Sequence, residues 1–177
     1  MTRGIVMGVV VAAVEGYLYW RYRALGAQFH FWLHGLLGAA LAAFVLTVVG
    51  LVRRRPARPV WRAGLAGHAY SAGPDLVFLT LGVVHELWMD VFAFHITLHL
   101  IPAPLATMFA VFALSLVGWA ATTLGRWRAA ALLAGTAVAV TVAAFALRTP
   151  LPRTLEDVRA DPGLALICPL AATPPTA

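Results

Sequence analysis

Apolar residues along this chain fall into five long runs separated by short polar or proline-bearing stretches. Runs of this length predict membrane-spanning helices rather than the short, alternating segments of a sheet. The first covers residues 4–20 and is broken only by Glu15; Arg21 and Arg23 close it, with Tyr17, Tyr19 and Trp20 at the boundary. Its basic start resembles a signal peptide, but no small-x-small cleavage site follows, so it is expected to remain as a span. The second run, 27–52, has a helical rise of roughly 39 Å at about 1.5 Å per residue, enough to cross a bilayer with tilt. Arg53, Arg54, Arg55, Arg58 and Arg62, with Pro56 and Pro59, then form a basic loop. Residues 63–74 are rich in Gly, Ala and Ser and read as loop or short helix. The third run, 76–101, is stopped by Pro102 and Pro104. The fourth and fifth are 105–124 and 129–147, joined through Gly125, Arg126 and Arg128. The expected fold is therefore all-α, a polytopic transmembrane helix bundle of about five spans over residues 1–147. A Pro-rich tail, 148–177, follows.

Composition agrees with that pattern and excludes other classes. Of 177 residues, 62% are hydrophobic and 11% charged, whereas a soluble domain carries about 25% charged residues. The apolar excess has to face lipid. All 13 basic residues are Arg, so no lysine Schiff base can form. These Arg residues flank apolar runs, as membrane-anchoring charges do, and do not point to nucleic acid. Arg counts also orient the chain. Arg3, the five loop arginines, Arg126 and Arg128 fall on one side; Arg21, Arg23, Arg148, Arg153 and Arg159 fall on the other. The richer side is expected inside, with the N-terminus inside and the tail outside. The Ala-rich, lysine-free composition associates with bacteria, hence a multi-pass protein of the bacterial cytoplasmic membrane. The single Cys168 excludes an internal disulfide.

The chemistry lies in the histidines. His30 and His34 are four apart, and so are His95 and His99. On helices, each pair shares one face with Cβ atoms about 5–6 Å apart, a spacing that lets two imidazoles close on one metal ion. In the expected topology His30 and His34 open the second span while His95 and His99 close the third, so both pairs lie near the outer face. Glu15 ends the first span at that depth, and Asp90 lies about two turns below His99. Ionisable residues inside a membrane are costly and mark function. The expected metal ligands are His30, His34, His95 and His99, helped by Glu15 or Asp90. Copper is favoured, with zinc or iron open. The structural alternative is that these residues hydrogen-bond between helices.

His85 and His99, fourteen apart, share a helix face, a spacing that resembles the two-haem helix of cytochrome b. No second helix carries a matching pair, but one haem b between the two His pairs, with His85 as a further cofactor contact, stays open. His85-Glu86-Leu87-Trp88-Met89 begins like the H-E-x-x-H zinc signature but has Met at the fifth position. His68 followed by Gly73-Pro74-Asp75 is similar to the H…PD start of a family of small membrane-bound metal-dependent hydrolases, although the rest of that pattern is missing. Asp75 reads instead as the first turn of the third helix.

The stretch Asp90 to Leu105, with His95-Ile96-Thr97-Leu98-His99 and then Pro102-Ala103-Pro104-Leu105, resembles the H-M-x-x-H-x-L-L-x-x-x-x-P-P-L segment of the CtaG-type cytochrome c oxidase assembly factors. Ile96 stands where that family has Met. The resemblance implies a metal-ligand role for His95 and His99 in copper-site assembly of a respiratory oxidase, or in a small subunit of a membrane oxidoreductase, with other membrane subunits as partners. The alternatives are a single-haem electron carrier, a membrane-bound metal-dependent hydrolase or oxygenase, and a structural subunit without a metal.

Overall fold

The computed structural model describes residues 2–26, 28–57, 60–81 and 87–150. His85, Glu86 and the tail beyond residue 150 lie outside the described residues. Among those described there are six α-helices: α1 (Thr2–Ala24), α2 (Gln28–Arg53), α3 (Val60–Ser71), α4 (Gly73–Leu81), α5 (Pro104–Thr123) and α6 (Trp127–Ala146). Two 3₁₀ turns, Leu87–Val91 and Thr97–Leu100, lie between α4 and α5.

Three helices, α2, α5 and α6, are long and apolar enough to cross a membrane. Their bounds follow the second, fourth and fifth apolar runs to within two residues. The reason is local: a long apolar helix satisfies its own backbone hydrogen bonds and needs only solvent-compatible ends. Gly125 shows how one such end is made. At φ +68° it turns the chain out of α5, and the Arg126 N–H bonds back to the Ala121 carbonyl at 2.8 Å, a glycine-stopped helix terminus.

The helix expected over 76–101 takes a different form. α4 ends at Leu81, and from residue 87 the chain runs as 3₁₀ turns joined by left-handed residues Ala93 (φ +58°) and Phe94 (φ +59°). Hydrophobicity cannot separate a buried irregular segment from a helix. Asp90 decides the matter here. Its carboxylate accepts the backbone N–H groups of Ile96 (2.7 Å) and Thr97 (3.0 Å) and the Thr97 hydroxyl, and so holds a compact loop closed. The stretch read as loop or short helix, 63–74, is mostly helix α3.

Side-chain contacts give the helix directions. α1 lies antiparallel to α2, with Tyr22 against His30 and Tyr19 against Phe31. α3 runs back along α2, its Gly67 and His68 backbone pressed on Gly38. α5 follows the direction of α2, since Gly118 meets Thr47 and Thr122 meets Gly50; α6 returns. Small residues at these crossings let backbones approach closely, as membrane helices require. The packing also distributes polarity inversely to a soluble protein. Val138, Val142 and Leu132 point outward, while His30, His34, Ser71, Asp75, His95 and Ser115 are buried. Such a surface suits lipid, and such an interior suits polar function.

Candidate metal centre

α2 presents His30 and His34 from successive turns toward the bundle interior, 4% and 1% exposed. The break between α3 and α4 delivers the next two groups. Ser71 ends α3, Pro74 sits in the first turn of α4, and Asp75 follows it, 1% exposed. Proline is tolerated there because the first helical N–H groups have no partner in the helix. The Asp90 loop brings in His95, also 1% exposed.

One ligand atom from each of His30, His34, Asp75 and His95 lies within 4.8 Å of the other three. Donors bound at about 2.0–2.2 Å to a tetrahedral ion sit roughly 3.4 Å apart, so a small contraction closes this group on one ion. Asp75 is the centre of the cluster. Its Oδ1 lies 3.1 Å from both His30 Nε2 and His95 Nε2, and its Oδ2 lies 3.8 Å from His34 Nε2.

The tautomers sharpen this. His95 Nδ1 lies 3.2 Å from the Ser71 carbonyl oxygen, which can only accept, so Nδ1 carries the proton. In neutral His95 the Nε2 is then a lone pair, and it faces a carboxylate oxygen at 3.1 Å. Two acceptors at that distance require a cation: either a proton or a metal ion. A ligating histidine that donates its other ring N–H to a backbone carbonyl is the usual arrangement around metals. His34 is held similarly, with Nδ1 3.1 Å from the Ser71 hydroxyl. Its Nε2 is buried with no hydrogen-bond partner among the described residues. The donor set thus fits a transition metal.

The other sequence candidates fall elsewhere. His99 packs beside the cluster with its ring stacked on His30 (centroids 4.4 Å, 22°), but it is not in the converging group. Its i, i+4 relation to His95 is not helical, because the two rings come from a 3₁₀ turn and the loop before it. Glu15 pairs instead with His68, Oε1 to Nδ1 at 3.1 Å. His68 also lies against Gly35, the residue after His34. Asp90 acts on the loop backbone, as described above. The two His pairs leave no room for a haem between them: His34 and His95 stack at 4.1 Å and 18°, and His30 and His99 at 4.4 Å. Axial ligands aim their nitrogens at iron from opposite sides of a porphyrin, whereas these rings lie face to face.

Asp75 is the member that sequence reasoning missed as a ligand. Its signal was an acidic residue directly before the apolar run Leu76–Leu81, a position whose burial needs a partner.

Two outcomes follow from these placements. Asp90→Ala should free the Ile96 and Thr97 amides, loosen His95 and weaken metal binding by about 10–100-fold, the usual cost of removing an outer support; a chelator-competition titration reads it. Glu15→Gln should leave the bound metal unchanged in the same titration, because Glu15 serves His68.

No protein-family model, curated protein or solved structure matches this chain.

Proposed function

We propose that this chain is a five-pass protein of the bacterial cytoplasmic membrane that carries one resident transition-metal ion on His30, His34, His95 and Asp75. α1 and the broken α3–α4 pair would supply the two passes beyond α2, α5 and α6. The end carrying the arginine loop would face the cytoplasm. The observation that carries the reading is the convergence of four buried side chains, His30, His34, Asp75 and His95, each with a donor atom within 4.8 Å of the other three. Burial to a few percent favours a held ion over one passed along. A small subunit of a membrane oxidoreductase, or a factor that assembles one, is the role that fits. Three imidazoles and a carboxylate suit Zn(II), Fe(II) or Cu(II), and the hard oxygen disfavours Cu(I). Copper in respiratory oxidase assembly, implied by the residue 90–105 resemblance, stays within this range in its oxidised form.

The test is elemental analysis of protein purified from membranes. The expected result is about one equivalent of one transition metal per chain, lost from the His34→Ala/His95→Ala double variant and kept in Glu15→Gln. Equal metal in wild type and double variant overturns the reading.

A further inference from the structure

Helix α5 packs along both α2 and α6, while α2 and α6 meet only sparsely. The gap between them is a cavity of about 520 Å³, within the roughly 300–1,000 Å³ of small-molecule sites. Ala40 and Ala137 line it and are buried; larger side chains there would close it. Asp90, Val91, Ala93 and Phe94 form part of its wall.

We propose that this cleft binds one long aliphatic chain of a membrane amphiphile, acyl or prenyl, entering sideways from the bilayer. The lining determines the chemistry. Its polar members are Tyr70, Asp90 and Thr141, and each is already engaged: the Tyr70 hydroxyl donates to the Val91 carbonyl, Asp90 accepts from Ile96 and Thr97, and Thr141 donates to the Ala137 carbonyl at 2.8 Å. The walls therefore offer a ligand mostly hydrocarbon contact and no free side-chain O–H or N–H donor, which disfavours polar metabolites and water. Most of the lining comes from three helices suited to crossing a membrane, and the lining residues Phe94 (57% exposed) and Val142 (62%) are apolar, so the entrance faces hydrocarbon. A partner helix, about 10 Å across with its side chains, is too broad for this volume. The site is separate from the metal ligands, and its occupancy can be read whether or not metal is bound.

The experiment is photolabelling of the full chain in lipid nanodiscs, with diazirine-bearing phosphatidylcholine in one arm and diazirine-bearing polyprenol in the other. Insertion sites are mapped by peptide mass spectrometry. In one arm the label should concentrate on cleft residues such as Leu41, Phe44 and Val138, and excess unlabelled lipid of that kind should chase it. The labelling arm identifies the source of the chain. Leu41→Trp and Val138→Phe, both at partly exposed positions, should lower cleft labelling by about tenfold, the effect of displacing two or so buried methylenes. If either variant fails to fold, the chase experiment on the wild type decides alone. Label spread evenly over outward residues such as Leu132 in both arms, or cleft label that no excess lipid displaces, overturns the proposal.

Discussion

Asp75→Asn should empty the metal centre while leaving the bundle assembled. The carboxylate lies 3.1 Å from two imidazole nitrogens and 3.8 Å from a third. Asparagine keeps the volume but removes the negative charge and turns one ligand oxygen into an N–H₂ donor. Removing an outer support already costs metal sites about 10–100-fold in affinity, so loss of a ligand should cost at least about 100-fold. Competition with a chromophoric chelator measures this directly. Thermal unfolding supplies the second readout. A bound ion stabilises the folded state by mass action, so chelator should lower the wild-type midpoint and leave the Asp75→Asn midpoint where it is. A cluster that only exchanges hydrogen bonds would behave otherwise: the variant would lose about 1–3 kcal/mol of stability for its mismatched buried groups, and chelator would move neither protein. That pattern would mean that the cluster holds no metal ion.

The second large effect is expected far from any ligand, at Gly38. A Cβ built there would lie 2.5 Å from the Gly67 carbonyl carbon and the His68 Cα. On the facing helix, a Cβ at Gly67 would run into the Gly38 carbonyl oxygen and lie 2.9 Å from its carbon. Backbone meets backbone, so no rotamer change can relieve the overlap. Gly38→Ala must push α3 away from α2, at a cost toward the upper end of the roughly 1–3 kcal/mol typical of overpacking. α3 carries Ser71, and Asp75 follows in α4, so the same displacement should lower metal affinity although no donor atom changes. Gly64→Ala is the control. It lies on the same helix with nothing within 4 Å of its added Cβ, and should be neutral or stabilising by about 0.5–1 kcal/mol. If the two variants unfold at the same temperature and hold the same metal, the α2–α3 crossing is not the contact described here.

These two residues mark how differently the fold and the site could be read beforehand. α2, α5 and α6 were visible as apolar runs because a bilayer imposes a length and a composition on each helix independently of its neighbours. The importance of His30, His34 and His95 was visible for a related reason, since polar groups in such runs are costly wherever they point. Residues 76–101 depart from the single helix their composition predicts because an apolar loop and an apolar helix share a composition, and the Asp90 carboxylate reaches amides six and seven residues ahead.

Run length, the clustering of arginines and the presence of imidazoles inside apolar segments were properties of the chain alone, since each follows from transferring single residues between water and lipid. Which carboxylate meets the imidazoles was not. Glu15, Asp75 and Asp90 are chemically equivalent candidates; Asp75 alone stands at the break between α3 and α4, opposite His30, which is 45 positions earlier in the chain, while His68 and the Ile96 and Thr97 amides engage the others. That selection depends on how closely α3 can approach α2, which the contact between Gly38 and Gly67 allows, and a distance between helices is set by their mutual packing rather than by either sequence segment taken singly.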